Sequence, residues 1–161
     1  MKKLLLGVCI LAGTYYSTAQ ETKFGVRAGI DLATVEQTVS VAGFTTTVKG
    51  SETGFFVGGF AEIGMNESFA IQPEVLYVSI KDFSMLNIPV LGKYTVAENI
   101  NLMAGPSFNY LLDAEEDKFK VNVDLGGSYD ITETIDVSAR YSLGFGDTKV
   151  SGIYLGVGYA F

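Results

Sequence analysis

Nine ionisable side chains fall where charged or small residues alternate with apolar ones: Arg27, Asp31, Glu62, Glu74, Lys93, Lys120, Asp124, Asp136 and Arg140. A pair of those carboxylates is the one constellation here that could do acid–base chemistry, as in glycosidases. Nucleophilic and general-base mechanisms usually need a histidine, and the chain has none. The acids also have basic residues available nearby, so they read as salt-bridged structural carboxylates. Asp113-Ala114-Glu115-Glu116-Asp117 is an acidic segment without the ligand spacing or central glycine of an EF-hand loop, and reads as a solvated loop. Gly156-Val157-Gly158 matches part of a dinucleotide fingerprint, but only three residues follow, too few for the helix that motif requires. No enzyme, cofactor or metal is therefore expected. With a net charge of −7, the chain lacks the basic face that nucleic-acid phosphates demand.

The elements that must carry these residues have a period of two. In Phe24 to Leu32, the residues Phe24, Val26, Ala28, Ile30 and Leu32 alternate with Gly25, Arg27, Gly29 and Asp31. That is a strand with one apolar and one polar face. Seven more segments read likewise, at about 55–64, 69–78, 86–94, 100–110, 119–129, 135–145 and 152–161. The apolar set contains no charge, amide, serine or threonine. The opposite set holds the nine ionisable residues, several Asn and Ser, and many glycines.

A soluble barrel or sandwich would turn the apolar face inward. A membrane barrel turns it outward to lipid and pairs every backbone group in a closed sheet. The small, glycine-rich polar face suits a crowded lumen. The aromatics sort to both strand ends: Phe24, Phe69, Tyr94, Tyr129, Tyr159 and Phe161 at one, and Phe55, Tyr77, Tyr110, Phe119, Tyr141 and Phe145 at the other. Two aromatic girdles are expected of a transmembrane barrel and have no purpose in a soluble core. Short turn-type links at Asn66-Glu67-Ser68, Ala97-Glu98-Asn99 and Asp130 to Glu133 fit the periplasmic side. The other side carries Ser79 to Ser84, Leu112 to Lys118, Gly146 to Ser151 and the longest loop, Ala33 to Gly54. Pro73, Pro89 and Pro106 lie inside strands and are expected at local bulges.

Residues 1–19 read as a cleavable signal: Lys2 and Lys3, then apolar Leu4 to Ala12, then Ser17-Thr18-Ala19 before Gln20. The apolar run is far short of the roughly 20 residues that span a bilayer as a helix. Cys9 is the one cysteine, and Val8 before it is too large for a lipidation signal. The mature chain, residues 20–161, then forms one domain without cysteine, and loss of two lysines takes the charge from −7 to −9.

Several strands resemble the PorT-like, or outer membrane protein beta-barrel domain, family of small bacterial barrels. The likeness rests on Phe24 to Leu32, Gln72-Pro73-Glu74-Val75-Leu76-Tyr77, Asn87 to Tyr94, Ala104-Gly105-Pro106, Ala139-Arg140-Tyr141 with Gly144, and Leu155 to Phe161. It spans essentially the whole mature chain and implies an outer-membrane barrel, but no particular activity, because sites and not folds define function. Tyr159 and Phe161 resemble the C-terminal signal of outer-membrane assembly, in part: Val157 stands where the fuller signal has glycine.

The expected fold is all-β, an eight-stranded antiparallel up-and-down transmembrane β-barrel. The expected role is structural or surface-interacting, with outer-membrane lipid and the assembly machinery as partners and no extracellular ligand indicated. A narrow passive channel is the alternative, and a soluble lipid-binding barrel a further one. Against a channel stand Phe56, Phe60, Leu76, Leu91, Met103 and Tyr154, all inward-facing, because about eight strands enclose only enough space for side chains. Counting heights from the turns pairs Arg27 with Glu62, Glu74 with Lys93 and Asp124 with Arg140 into a structural charge network.

Overall fold

The computed structural model describes residues 22–41, 44–81, 83–113, 118–145 and 148–161. The signal segment and Ala114 to Asp117 of the acidic loop lie outside these residues. The alternating segments form eight strands: β1 Thr22–Val41, β2 Phe44–Asn66, β3 Phe69–Ile80, β4 Phe83–Ala97, β5 Ile100–Leu111, β6 Phe119–Asp130, β7 Ile135–Gly144 and β8 Thr148–Ala160. Each pairs antiparallel with its sequence neighbour, and β1 pairs with β8, so the sheet closes. Closure leaves the barrel wall no free edge, and every strand face becomes either lumen or exterior.

All eight strands keep the expected faces. Eleven of the twelve girdle aromatics are exposed on the outside, and Phe69 is half-buried because its ring lies over Gly92 on the neighbouring strand. Between the girdles the exterior offers Val26, Ile30, Val75, Val90, Leu102, Leu125, Leu155 and Val157. Leu125 lies mid-strand, paired with Ala104 and Tyr141. Leu125→Arg is expected to cost about 2–4 kcal/mol when folding is measured in lipid vesicles. A neutral result would mean that this face does not meet hydrocarbon.

The links at the end holding Thr22 and Phe161 are tight. Asn66 accepts the Ser68 N–H at 2.9 Å, and Thr132 accepts the Ile135 N–H at 2.9 Å. At the other end the fold departs from expectation. Ala33 to Gly54 is not a loop: β1 and β2 stay in register from Leu32↔Thr53 up to Val41↔Phe44. Nine further pairs carry the hairpin roughly 30 Å beyond Leu32. β8 accompanies β1 as far as Gln37↔Thr148, while the pairing of β2 with β3 begins only at Gly54↔Ile80.

The prolines also differ from expectation, because none sits at a bulge. Pro73 stays paired with Val90, Pro89 with Ser107 and Pro106 with Val123, and the register is the same before and after each. Each ladder breaks on the side of the preceding strand and resumes unshifted. A proline removes one N–H, and in an antiparallel ladder that N–H serves one neighbour only. The register shifts lie instead at Gly64/Asn66 and Thr95/Ala97, beside the tight turns.

Candidate functional site

The lumen gathers the ionisable residues. Arg27 points inward from β1 with Gly58 and Gly158 as its cross-strand neighbours. With no side chains beside it, the guanidinium reaches across the barrel. Nη1 donates to Glu74 Oε1 on β3, and Nη2 donates to Asp136 Oδ1 on β7 at 2.6 Å. The guanidinium carbon also lies 4.9 Å from the centre of the Phe60 ring. Gly158 is needed here, since a Cβ at that position would strike the Asp136 carboxylate.

Glu74 is the hub. Its Oε1 also accepts Gln72 Nε2 at 2.6 Å, and its Oε2 lies 2.9 Å from Arg140 Nη1 as a charge contact off the hydrogen-bond line. Arg140 stacks its guanidinium 5.7 Å from the Tyr154 ring centre. Arg27, Glu74 and Arg140 are all buried, where charges persist only when paired.

Nearer the tight turns, Lys93 Nζ meets Glu62 Oε2 at 2.8 Å and Asp130 Oδ1 at 3.7 Å. Asn101 donates to Asp130 Oδ2 at 2.9 Å and accepts from Thr95 at 2.8 Å. On the other side of the hub, Ser107 donates to Asp124 Oδ1 at 2.7 Å and Asn87 donates to Asn109 at 2.6 Å. Beyond these polar layers lies a packed cluster of Ala33, Phe56, Leu76, Val78, Ile80, Met85 and Tyr154. Phe60, Leu91 and Met103 are buried as well.

Sequence heights gave the wrong partners. Arg27 does not meet Glu62, whose cross-strand neighbour is Lys23. Glu74 meets Arg27 and Arg140 rather than Lys93, and Arg140 makes its direct ion-pair contact with Glu74 while its charge reaches Asp124 from farther off. Strand stagger shifts the heights, and arginine is long enough to cross a narrow lumen instead of binding the adjacent strand. Alternation puts Gln72 and Asp136 on the inward face but does not show that Gln72 binds Glu74 or that Arg27 reaches Asp136, and it leaves Asp130 in a turn. Asp130 follows Ser128 by two residues, which puts it on that same inward face.

The carboxylates of Glu74, Asp136 and Glu62 are each ion-paired with an arginine or lysine side chain. Among the described residues no group of three or more His, Cys, Asp or Glu side chains is placed to hold a metal ion. At the chain end, Tyr159 and Phe161 are exposed with ring centres 6.5 Å apart, and the Phe161 N–H donates to the Phe24 carbonyl at 2.9 Å.

The fold is shared with solved outer-membrane barrels. Ail, the attachment invasion locus protein of Yersinia pestis, is 16% identical with a TM-score of 0.55, over 88% of this chain and 99% of Ail. Neisserial surface protein A is 21% identical with a TM-score of 0.54, over 88% and 99%. The N-terminal barrel domain of Pseudomonas aeruginosa OprF is 14% identical with a TM-score of 0.50, over 88% and 100%. No curated protein matches by sequence. The family profile for the outer membrane protein beta-barrel domain matches residues 4–161. That match, with the exposed apolar exterior, sets aside a soluble lipid-binding barrel: the chain belongs to the outer membrane protein beta-barrel domain family and resides in the outer membrane of a bacterium.

Proposed function

We propose that this protein is a non-enzymatic barrel with a structural or surface-interaction role, its lumen closed to ions by its own side chains. The observation that carries this reading is the crossing of Arg27 from β1 to Glu74 and Asp136, beneath the packed apolar cluster. A salt bridge spanning the lumen occupies the path that an ion would need, and breaking it would leave buried charges unpaired. The β1–β2 hairpin, standing beyond the barrel rim, is then the part that meets the cell's surroundings. In planar bilayers the wild type should give no large, stable conductance. A steady open channel whose ion selectivity changes in Arg140→Met, with stability untouched, would establish the narrow-channel alternative instead.

Residues 1–19 act in this reading as a signal that is cleaved before Gln20, and the chain is a PorT-like barrel, a reading that its strand motifs support. Tyr159 and Phe161 serve as the strand that the assembly machinery recognises, supported by their outward exposure at the barrel end. Deleting Phe161 is expected to lower the yield of folded barrel in cells while refolding in detergent continues. Unchanged insertion in cells would reduce Phe161 to an interfacial anchor.

A further inference from the structure

The central lumen carries more acid than its arginines answer. Arg27 and Arg140 face Glu74 and Asp136, while Asp31 and Asp124 share the same enclosure. Asp31 and Asp124 are 1% and 0% exposed. Asp31 accepts the Tyr154 hydroxyl, and Asp124 Oδ1 accepts Ser107, but Asp31 Oδ1 and Asp124 Oδ2 have no hydrogen-bond partner.

Strand register brings these two side chains to the same part of the lumen. Asp31 Oδ1 overhangs Gly152, lying 2.5 Å from where a Cβ would stand. Gly152 pairs with Ser142, and Ser142 pairs with Asp124 and hydrogen-bonds to it. The two carboxylates therefore border a floor made of Gly152 and Ser142, and their charges repel each other. The apolar cluster encloses them on one side and the Arg27–Glu74 tie on the other. Arg140's charge reaches Asp124 but already answers Glu74, so the enclosure sets four carboxylates against two guanidiniums, an imbalance that burial makes strongly unfavourable.

We propose that Asp31 and Asp124 together bind one divalent cation of the hard, oxygen-seeking class, such as calcium or magnesium. Its charge cancels the excess of two, and its donors are all oxygens: Asp31 Oδ1, Asp124 Oδ2 and the Ser142 hydroxyl. Arg140 lies against Glu74 and the Tyr154 ring while its charge also reaches Asp124, and its Nε and Nη2, without hydrogen-bond partners, can bind water in the ion's outer coordination. The site does not depend on the surface role argued above, and an occluded ion is compatible with a barrel of any function.

The test uses folded protein extracted from outer membranes in detergent and exchanged into metal-free buffer. Elemental analysis should find about one divalent ion per chain. Unfolding and refolding with a chelator should lower Tm by several degrees, with recovery on adding calcium or magnesium. Asp31→Asn and Asp124→Asn should lose the ion and become insensitive to the chelator. The proposal is overturned if wild-type protein carries no ion above background, or if both Asn variants retain it. It is equally overturned if Tm rises on acidification with no dependence on metal, because protons would then balance the charge. Should neither variant fold, the wild-type metal content and chelator response decide the question alone.

Discussion

Glu74→Gln is expected to destabilise the folded barrel by about 3–5 kcal/mol, the largest effect of any lumen charge. The substitution keeps the shape of the side chain and removes the one charge that answers both Arg27 and Arg140. It also sets the new amide against the Gln72 amide that now donates to Glu74 at 2.6 Å. Asp136→Asn should cost less, because Arg27 keeps Glu74 and the Asp136 side chain retains 11% exposure. Removing the orphaned cation with Glu74→Gln/Arg140→Met should recover part of the loss, which a double-mutant cycle in phospholipid vesicles would measure. Equal costs for Glu74→Gln and Asp136→Asn would mean that the charge is shared evenly and that Glu74 is no hub.

Phe56→Ala should cost a comparable amount, about 3–5 kcal/mol, through a different cause. Phe56 is buried, its ring centre is 5.5 Å from that of Tyr154, and it lies over the glycines at positions 29 and 156. A Cβ at Gly29 or Gly156 would come within 2.7 or 2.8 Å of Phe56 Cζ, so the ring and the two glycines were fitted to one another. Truncation leaves a cavity that the rigid barrel wall cannot collapse to fill. Gly156→Ala should be harmful beside Phe56 and much better tolerated beside Phe56→Leu, as denaturant unfolding in detergent would read. Simple additivity of the two changes would show that ring and glycine do not share that space.

Which residues face inward was legible because a closed sheet allows only two directions, and lipid tolerates no polar residue on one of them. Arg27, Glu74, Lys93, Asp124 and Arg140 were therefore assigned to the lumen side by alternation alone. Who touches whom was not legible. Register between neighbouring strands moves by whole residues without disturbing alternation, so Glu62 came to lie opposite Lys23 and Arg27 opposite Gly58. The β1–β2 extension was missed for a related reason. Beyond the membrane neither face must be apolar, so residues 33–54 lose the two-residue hydrophobic signal. Only their β-branched content remains to mark a strand: Thr34, Val35, Thr38, Val39, Val41, Thr45, Thr46, Thr47, Val48 and Thr53. The prolines need no bulge because a missing N–H removes one bond and the ladder continues in the same register.

The tie from Arg27 bears on the order in which the barrel can assemble. Its partners lie 47 and 109 residues away, on the third and seventh strands. Every neighbouring hairpin can form from local chain, but none of them satisfies this guanidinium. Until the first and last strands meet, Arg27, Glu74 and Asp136 sit on an open ribbon with their charges apart. A half-built barrel thus holds its least stable arrangement of charge, and the return arrives all at once on closure. Folding is accordingly concentrated into a late, slow step of high contact order, with little accumulation of partly closed sheets.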